Sequence, residues 1–337
     1  MEKEILEKLS QRIKDAEILK EIKDKIDFSS KSSIEKSLVQ KIDGPVFRKL
    51  LIANGAKAIS SISHEMGTSA LTEAIILLHG RPALLIQDDK YETPESEIWT
   101  NRLEPYREKI INAIKATGRV ELKNHTDYEW AGTGFLLESN FIITNRHVAV
   151  LFGEKNRSDK FVFKMNPAGK NIHAYIDFKE EYHCPEEAEY ELDEILYIAE
   201  DRSDIPDVAI LKINGVNDDP KPLPLQLGLS PDEPQYDQIV AVIGYPAEDG
   251  YRNDPKEMSR IFNNIYDIKR LQPGMVKAST SGNEFTHDCS TLGGNSGSPV
   301  IDVNTGKVLG LHFSGSYRKI NYAVKSVYLQ NLIRQIC

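Results

Sequence analysis

Gly293-Gly294-Asn295-Ser296-Gly297-Ser298-Pro299 stands near the end of this 337-residue chain and sets a serine in a glycine-rich turn. A serine hydroxyl is a weak nucleophile at neutral pH. It becomes reactive beside a base, with N–H donors arranged for the oxyanion that forms on attack. The turn answers the second need. Without a Cβ at Gly294, the backbone can take a strained turn that aims the Gly294 and Ser296 N–H groups at one point. The same residues also fit a plain tight turn between strands, so the reading depends on a base, and a residue to orient it, standing upstream.

Both are present. Phe141-Ile142-Ile143-Thr144-Asn145-Arg146-His147 is an apolar β-type run that ends in a histidine. Asp207-Val208-Ala209-Ile210-Leu211-Lys212-Ile213 is a second such run, opened by an aspartate. Asp204 competes with Asp207 but has no apolar run directly after it. The order His, Asp, Ser is that of the chymotrypsin arrangement and differs from the subtilisin and α/β-hydrolase orders.

Together with Gly132-Thr133-Gly134-Phe135-Leu136, these segments resemble the trypsin-like serine peptidases of the chymotrypsin fold, over residues 118–337. The resemblance implies an all-β domain of two six-stranded antiparallel barrels with a C-terminal helix. It implies Ser296 as nucleophile, His147 as base and Asp207 as the residue holding the imidazole. It also implies an oxyanion hole from the Gly294 and Ser296 N–H groups, a protein or peptide substrate, and strand pairing of that substrate along Phe313, Ser314 and Gly315. Asn295 departs from the digestive relatives, whose aspartate there pairs with a newly cut N-terminus, so that activation switch is expected to be absent. Ser290 replaces the aspartate that gives trypsin its basic specificity. The run from Ser290 to Pro299, with Gly310-Leu311-His312-Phe313, resembles the glutamyl endopeptidase branch. There Thr291 and His312 would bind an acidic P1 side chain, a hydroxyl and an imidazole N–H (neutral or charged) being suited to an anion. The bland alternative has His312 simply packed against the second barrel.

Composition narrows the class. The chain is 40% hydrophobic and 28% charged, with a net charge of −9, which is ordinary for a globular protein and argues against nucleic-acid binding. No apolar run approaches the roughly 18 residues of a membrane span, so no membrane partner is expected. The start, Met1-Glu2-Lys3-Glu4, is charged and unlike a signal peptide, and the cysteines are only Cys184, Cys289 and Cys337. An odd, sparse set fits a reducing compartment, so the expectation is a cytoplasmic protein without disulfides. No Cys or His cluster has ligand spacing, so no metal or other cofactor is expected.

Period separates two domains. Leu6, Leu9, Ile13, Ala16, Leu19, Ile22 and Ile26 recur at helical spacing, and further helical segments follow to His79. Pro82–Gln87 reads as a short strand, 88–96 as a loop, and 106–117 as a last helix. From Arg119 on, short apolar runs alternate with turn residues, the mark of a barrel or sandwich. The expected division is a mainly α domain over 1–117 and an all-β domain over 118–337, closed by a helix carrying Leu329, Leu332, Ile333 and Ile336. The first domain bears no catalytic constellation. It reads as a helical bundle, with a coiled-coil dimer as the alternative, and as a regulatory adaptor for a protein partner. Such fusions resemble components of bacterial conflict systems. The rival functions are a protease-fold binding module that never turns over, and an esterase with the same three residues. Residues 180–201 hold ten Asp or Glu and no Lys or Arg, and read as a solvated acidic loop, or else as a docking or self-cleavage segment.

Overall fold

The computed structural model describes residues 81–213, 222–248, 255–316 and 320–336. The helices expected before residue 80 lie outside the described residues. Residues 81–94 and 102–337 form one compact unit; the other unit holds residues 1–80 and 95–101. Of the latter, the described residues 95–101 contain a helical turn in which Thr100 N donates to Ser96 O at 2.9 Å.

The chain enters through β1 (Leu84–Gln87) and β2 (Lys90–Tyr91), then α1 (Glu97–Leu103), a 3₁₀ turn (Glu104–Tyr106) and α2 (Arg107–Lys115). The expected loop after residue 87 is a two-residue hairpin. Asp88 and Asp89 both take positive φ, 51° and 64°, which a turn of this hand requires and which aspartate tolerates. Next come β3 (Thr117–Lys123), β4 (Trp130–Leu137), β5 (Phe141–Thr144), α3 (Arg146–Ala149), β6 (Gly153–Lys155), β7 (Phe161–Phe163), β8 (His173–Asp177), β9 (Glu189–Glu191), β10 (Glu194–Ile198) and β11 (Ala209–Lys212). The second half holds β12 (Ile239–Gly244), α4 (Pro255–Phe262), β13 (Arg270–Ser279), β14 (Glu284–His287), β15 (Pro299–Asp302), β16 (Val308–Ser316), β17 (Ile320–Lys325) and α5 (Ser326–Ile336).

The architecture is the expected double-barrel, chymotrypsin-like one, with a difference in the first half. Strands β12-β15-β16-β17-β14-β13 form a closed six-stranded antiparallel barrel, sealed by β12 against β13. Strand β1 adds to β13, and β2 to β1, outside that closure. The first half is an open antiparallel sheet of seven strands, ordered β10-β11-β5-β4-β3-β8-β9, with β6-β7 a separate hairpin. Val240, Val242, Val276, Phe285, Cys289, Val300, Leu309 and Ala323 make the closed barrel's core. Of these, the Val, Leu and Phe side chains each contribute about 1.5–3 kcal/mol on full burial.

The acidic stretch is not one solvated loop. It supplies β9 and β10, and its carboxylates are largely paired: Glu189 with Lys123 at 2.6 Å, Glu191 with His173 at 2.7 Å, Glu180 with Arg119 at 3.0 Å. Glu181 is fully buried against Lys269, whose Nζ also donates to Phe178 O at 2.6 Å and Ile114 O at 3.1 Å. Those carbonyls and that carboxylate make the burial of two charges tolerable. Of the acidic residues between β8 and β9, Glu186 and Glu187 are the exposed ones.

Candidate active site

Register brings His147 and Asp207 together across 60 residues of sequence. Strand β11 runs antiparallel to β5 with Ala209 opposite Thr144, so the residues just after β5 face those just before β11. Asn145 Nδ2 donates to Asp207 O at 2.8 Å. The one-turn helix α3 then presents His147 to the carboxylate twice. Its backbone N–H donates to Asp207 Oδ1 at 3.1 Å, and its ring Nδ1 lies 2.5 Å from Asp207 Oδ2. Arg146 Nη2 is 3.0 Å from Asp201 Oδ1, and its Nε is 4.0 Å from Asp207 Oδ1. Asp204 is engaged elsewhere, in a bidentate pair with Arg202.

Ser296 lies in the turn that leads into β15, and two glycines permit that turn. Gly294 has φ of +81°, and a Cβ there would sit 2.3 Å from Tyr245 O. Gly297 has φ of +91°, and its Cβ would sit 1.9 Å from Thr133 O. No side chain fits either place. The neighbouring N–H groups are committed: Asn295 N to Leu292 O at 3.3 Å, Gly297 N to His312 O at 3.0 Å, Ser298 N to Asn295 O at 3.0 Å. The Gly294 and Ser296 N–H groups have no acceptor among the described residues. Ala247 N holds Gly293 O at 2.7 Å. In a trans peptide this turns the Gly294 N–H the opposite way.

The first half of the fold clamps this turn. Thr133 N donates to Ser296 O at 2.8 Å, and Thr133 Oγ1 to Gly294 O at 2.8 Å. Thr144 Oγ1 in turn donates to Thr133 O at 2.7 Å. Gly132 is pressed against both Val148, next to His147, and Ser296 O, so the serine turn and α3 meet at one point. The Ser296 hydroxyl makes no hydrogen bond among the described residues.

The five residues expected to touch substrate beyond the turn lie along β16 and, for Thr291, before it. His312 is buried, with its Nδ1 3.3 Å from His287 Nε2. Burial, then His287, then His147 push the His312 pKa well below its ordinary value, so this imidazole is neutral. Burial brings His287 down to about 4. Of the two charge states open in the sequence, the neutral one holds. Thr291 Oγ1 donates to Asn321 Oδ1 at 2.9 Å, and Asn321 Nδ2 to Cys289 O at 2.6 Å. Strand β16 pairs with β17 as far as Ser316↔Ile320, but with β15 only to Leu311↔Pro299, extended by His312 N to Ser298 O at 2.9 Å. Phe313, Ser314 and Gly315 therefore lie past the end of β15, with the Phe313 ring 6.3 Å from that of Tyr322. His287 and Asn321 escaped the sequence reading. Each reaches the site only because β14 and β16 both pair with β17 at Asn321.

The Trypsin-like peptidase domain family matches residues 132–311, more than half of the chain. The chain belongs to the trypsin-like peptidase family. This trypsin-like peptidase is 26% identical over 242 residues to a glutamyl endopeptidase of Staphylococcus epidermidis, covering 68% of this chain and 70% of that one. A second glutamyl endopeptidase of the same species is 26% identical over 214 residues, 61% of this chain and 60% of its own length. Among solved structures, the inactive form of the Rv3671c protease matches at 18% identity with a TM-score of 0.41, covering 68% of this chain and 92% of that one. A mutant of the same Mycobacterium tuberculosis protein, also inactive, gives 18% and 0.40, with 68% and 89% covered. The family makes the chain a serine peptidase, a hydrolase acting on proteins or peptides. Among the described residues, no helix is long and apolar enough to cross a membrane, and no cluster of His, Cys, Asp and Glu could hold a metal ion.

Proposed function

We propose that the chain is a serine endopeptidase that works through Ser296, His147 and Asp207 by way of an acyl-enzyme. The observation that carries this reading is the double grip of Asp207 on His147, at ring and backbone. A carboxylate on Nδ1 keeps the proton there and leaves Nε2 free to accept the Ser296 proton. Ser296 Oγ then attacks the scissile carbonyl, and His147 passes the proton to the leaving amine. The Gly294 and Ser296 N–H groups receive the oxyanion, which fits their lack of any other acceptor. Each such donor contributes about 10²–10³ in rate. The substrate backbone extends the sheet along 313–315, where β15 has already ended.

Thr291 and His312 then form the P1 pocket, with a preference for Glu or Asp. The His287–His312 pair has two tautomeric arrangements. If His312 donated, the buried His287 Nδ1, which has no partner, would carry an orphaned N–H. If His287 donates, the orphan is only a lone pair, the more tolerable defect. His312 Nδ1 is thus the acceptor, and its proton sits on Nε2, where it can donate to a carboxylate. The glutamyl endopeptidases among the relatives point the same way. Cleavage of a mixed peptide library by wild type and by Ser296→Ala tests both levels. Cuts after Glu and Asp, lost in the variant, are expected. Equal cutting after Leu or Phe would remove the acidic preference, and cutting that survives in Ser296→Ala would remove the triad.

A further inference from the structure

The serine turn is also held from the closed barrel, by a residue that no sequence motif marks. Gln272 lies in β13 opposite Val242 of β12, and both it and Asn295 have 0% exposure. Gln272 Nε2 donates to Asn295 Oδ1 at 2.8 Å. Asn295 Nδ2 in turn donates to Leu292 O at 3.3 Å. The Asn295 side chain is therefore tied at both ends. Gln272 Oε1 has no partner. A fully buried amide with an unfilled acceptor is less stable than an apolar side chain that fits the same space. Strand β13 carries that penalty at a position that reaches the turn between Gly294 and Ser296.

We propose that Gln272 is a positioning residue for the oxyanion hole. The proposal rests on the reading of the Gly294 and Ser296 N–H groups as the oxyanion donors. The Ser296 N–H belongs to the Asn295–Ser296 peptide, so its direction is set by the backbone angles of Asn295. A side chain fixed at both Oδ1 and Nδ2 leaves those angles little freedom. The tie is neutral, so it does not titrate, and it comes from a strand of the same barrel. The turn is therefore set when the barrel closes, without a new chain end.

The test compares wild type with Gln272→Leu, which removes the donor, and Gln272→Met, which keeps the unbranched length and also carries no donor. Four quantities are measured on each: kcat and KM for a peptide that wild type cleaves, the inhibition constant of a peptide boronate, and the Kd of the matching product peptide. The boronate adds to the serine oxygen and places a tetrahedral oxygen in the oxyanion hole, whereas the product peptide does not. A positioning role predicts that kcat falls about ten- to a hundredfold, as for a small misplacement of a catalytic group, and that the boronate weakens by the same factor. KM and product affinity stay within about threefold, because the interaction is made in the transition state. A kcat within twofold of wild type in either folded variant overturns the proposal. An equal loss in kcat, boronate affinity and product affinity, or failure of both variants to fold, makes Gln272 structural and overturns it as well. If wild type itself neither cleaves nor takes the boronate, the peptidase reading falls and the proposal with it.

Discussion

Replacing Asp207 by asparagine probes the geometry of the site with a change of one atom. Asp207 accepts two hydrogen bonds from His147, one from the backbone N–H at 3.1 Å and one at ring Nδ1 at 2.5 Å. Asparagine has a single acceptor oxygen, so its NH₂ must face one of the two. Facing the backbone N–H would oppose two fixed donors and leave both unpaired, at about 1–3 kcal/mol. Facing Nδ1 demands only that the imidazole change tautomer. The second arrangement wins. Nδ1 then accepts, the proton moves to Nε2, and His147 can no longer take the Ser296 proton. Loss of the correct tautomer in a triad lowers kcat by about 10⁴, or roughly 5.5 kcal/mol of barrier. The assay is steady-state cleavage of a peptide at neutral pH, with circular dichroism to show that the variant is folded. KM should change little. A folded Asp207→Asn protein that keeps more than a tenth of wild-type kcat would refute the assignment of Asp207.

Three further outcomes follow from single residues. His312→Leu should lower kcat/KM for a Glu-P1 peptide by about 10- to 100-fold, the worth of a hydrogen bond to a charged group, and leave a Leu-P1 peptide within about threefold. Gly297→Ala puts a Cβ at φ +91° and 1.9 Å from Thr133 O, so unfolding free energy should fall by about 3 kcal/mol or more, measured by denaturant titration. His287 is buried neutral with its pKa lowered to about 4, so the unfolded chain binds more protons than the native one between about 6.5 and 4. Wild type should therefore lose roughly 3 kcal/mol of stability from this group as pH falls through that window. Glu121, raised to about 7 by burial, acts with the opposite sign, so the comparison is wild type against His287→Gln at pH 7 and pH 4.5, and the variant should show a smaller loss in acid.

Much of the site was legible because each motif stands at the end of an apolar strand run. Phe141–Thr144 is buried at all four positions, and so is Pro299–Asp302, as continuous apolar runs predict for strands packed on both faces. Their ends deliver His147 and Ser296. Other features were hidden for physical reasons. Asp88-Asp89 reads as loop by polarity, yet aspartate is one of the few residues that can make the left-handed hairpin turn found there. The acidic strand β9, Glu-Tyr-Glu, lacks the composition of a strand, and its two carboxylates pair with Lys123 and His173 from other strands. The charge state of His312 follows from burial and from His287, which sequence cannot place. The Gln272–Asn295 tie spans 23 residues and has no motif at all.

The most direct test of the central claim is labelling with a small fluorophosphonate, followed by peptide mapping by mass spectrometry. Only a serine activated by a base and served by an oxyanion hole reacts at a useful rate. The account predicts one adduct, on Ser296, in the folded wild-type chain, and none in His147→Ala. A folded wild-type chain that takes no label, or takes it on a different serine, would contradict it.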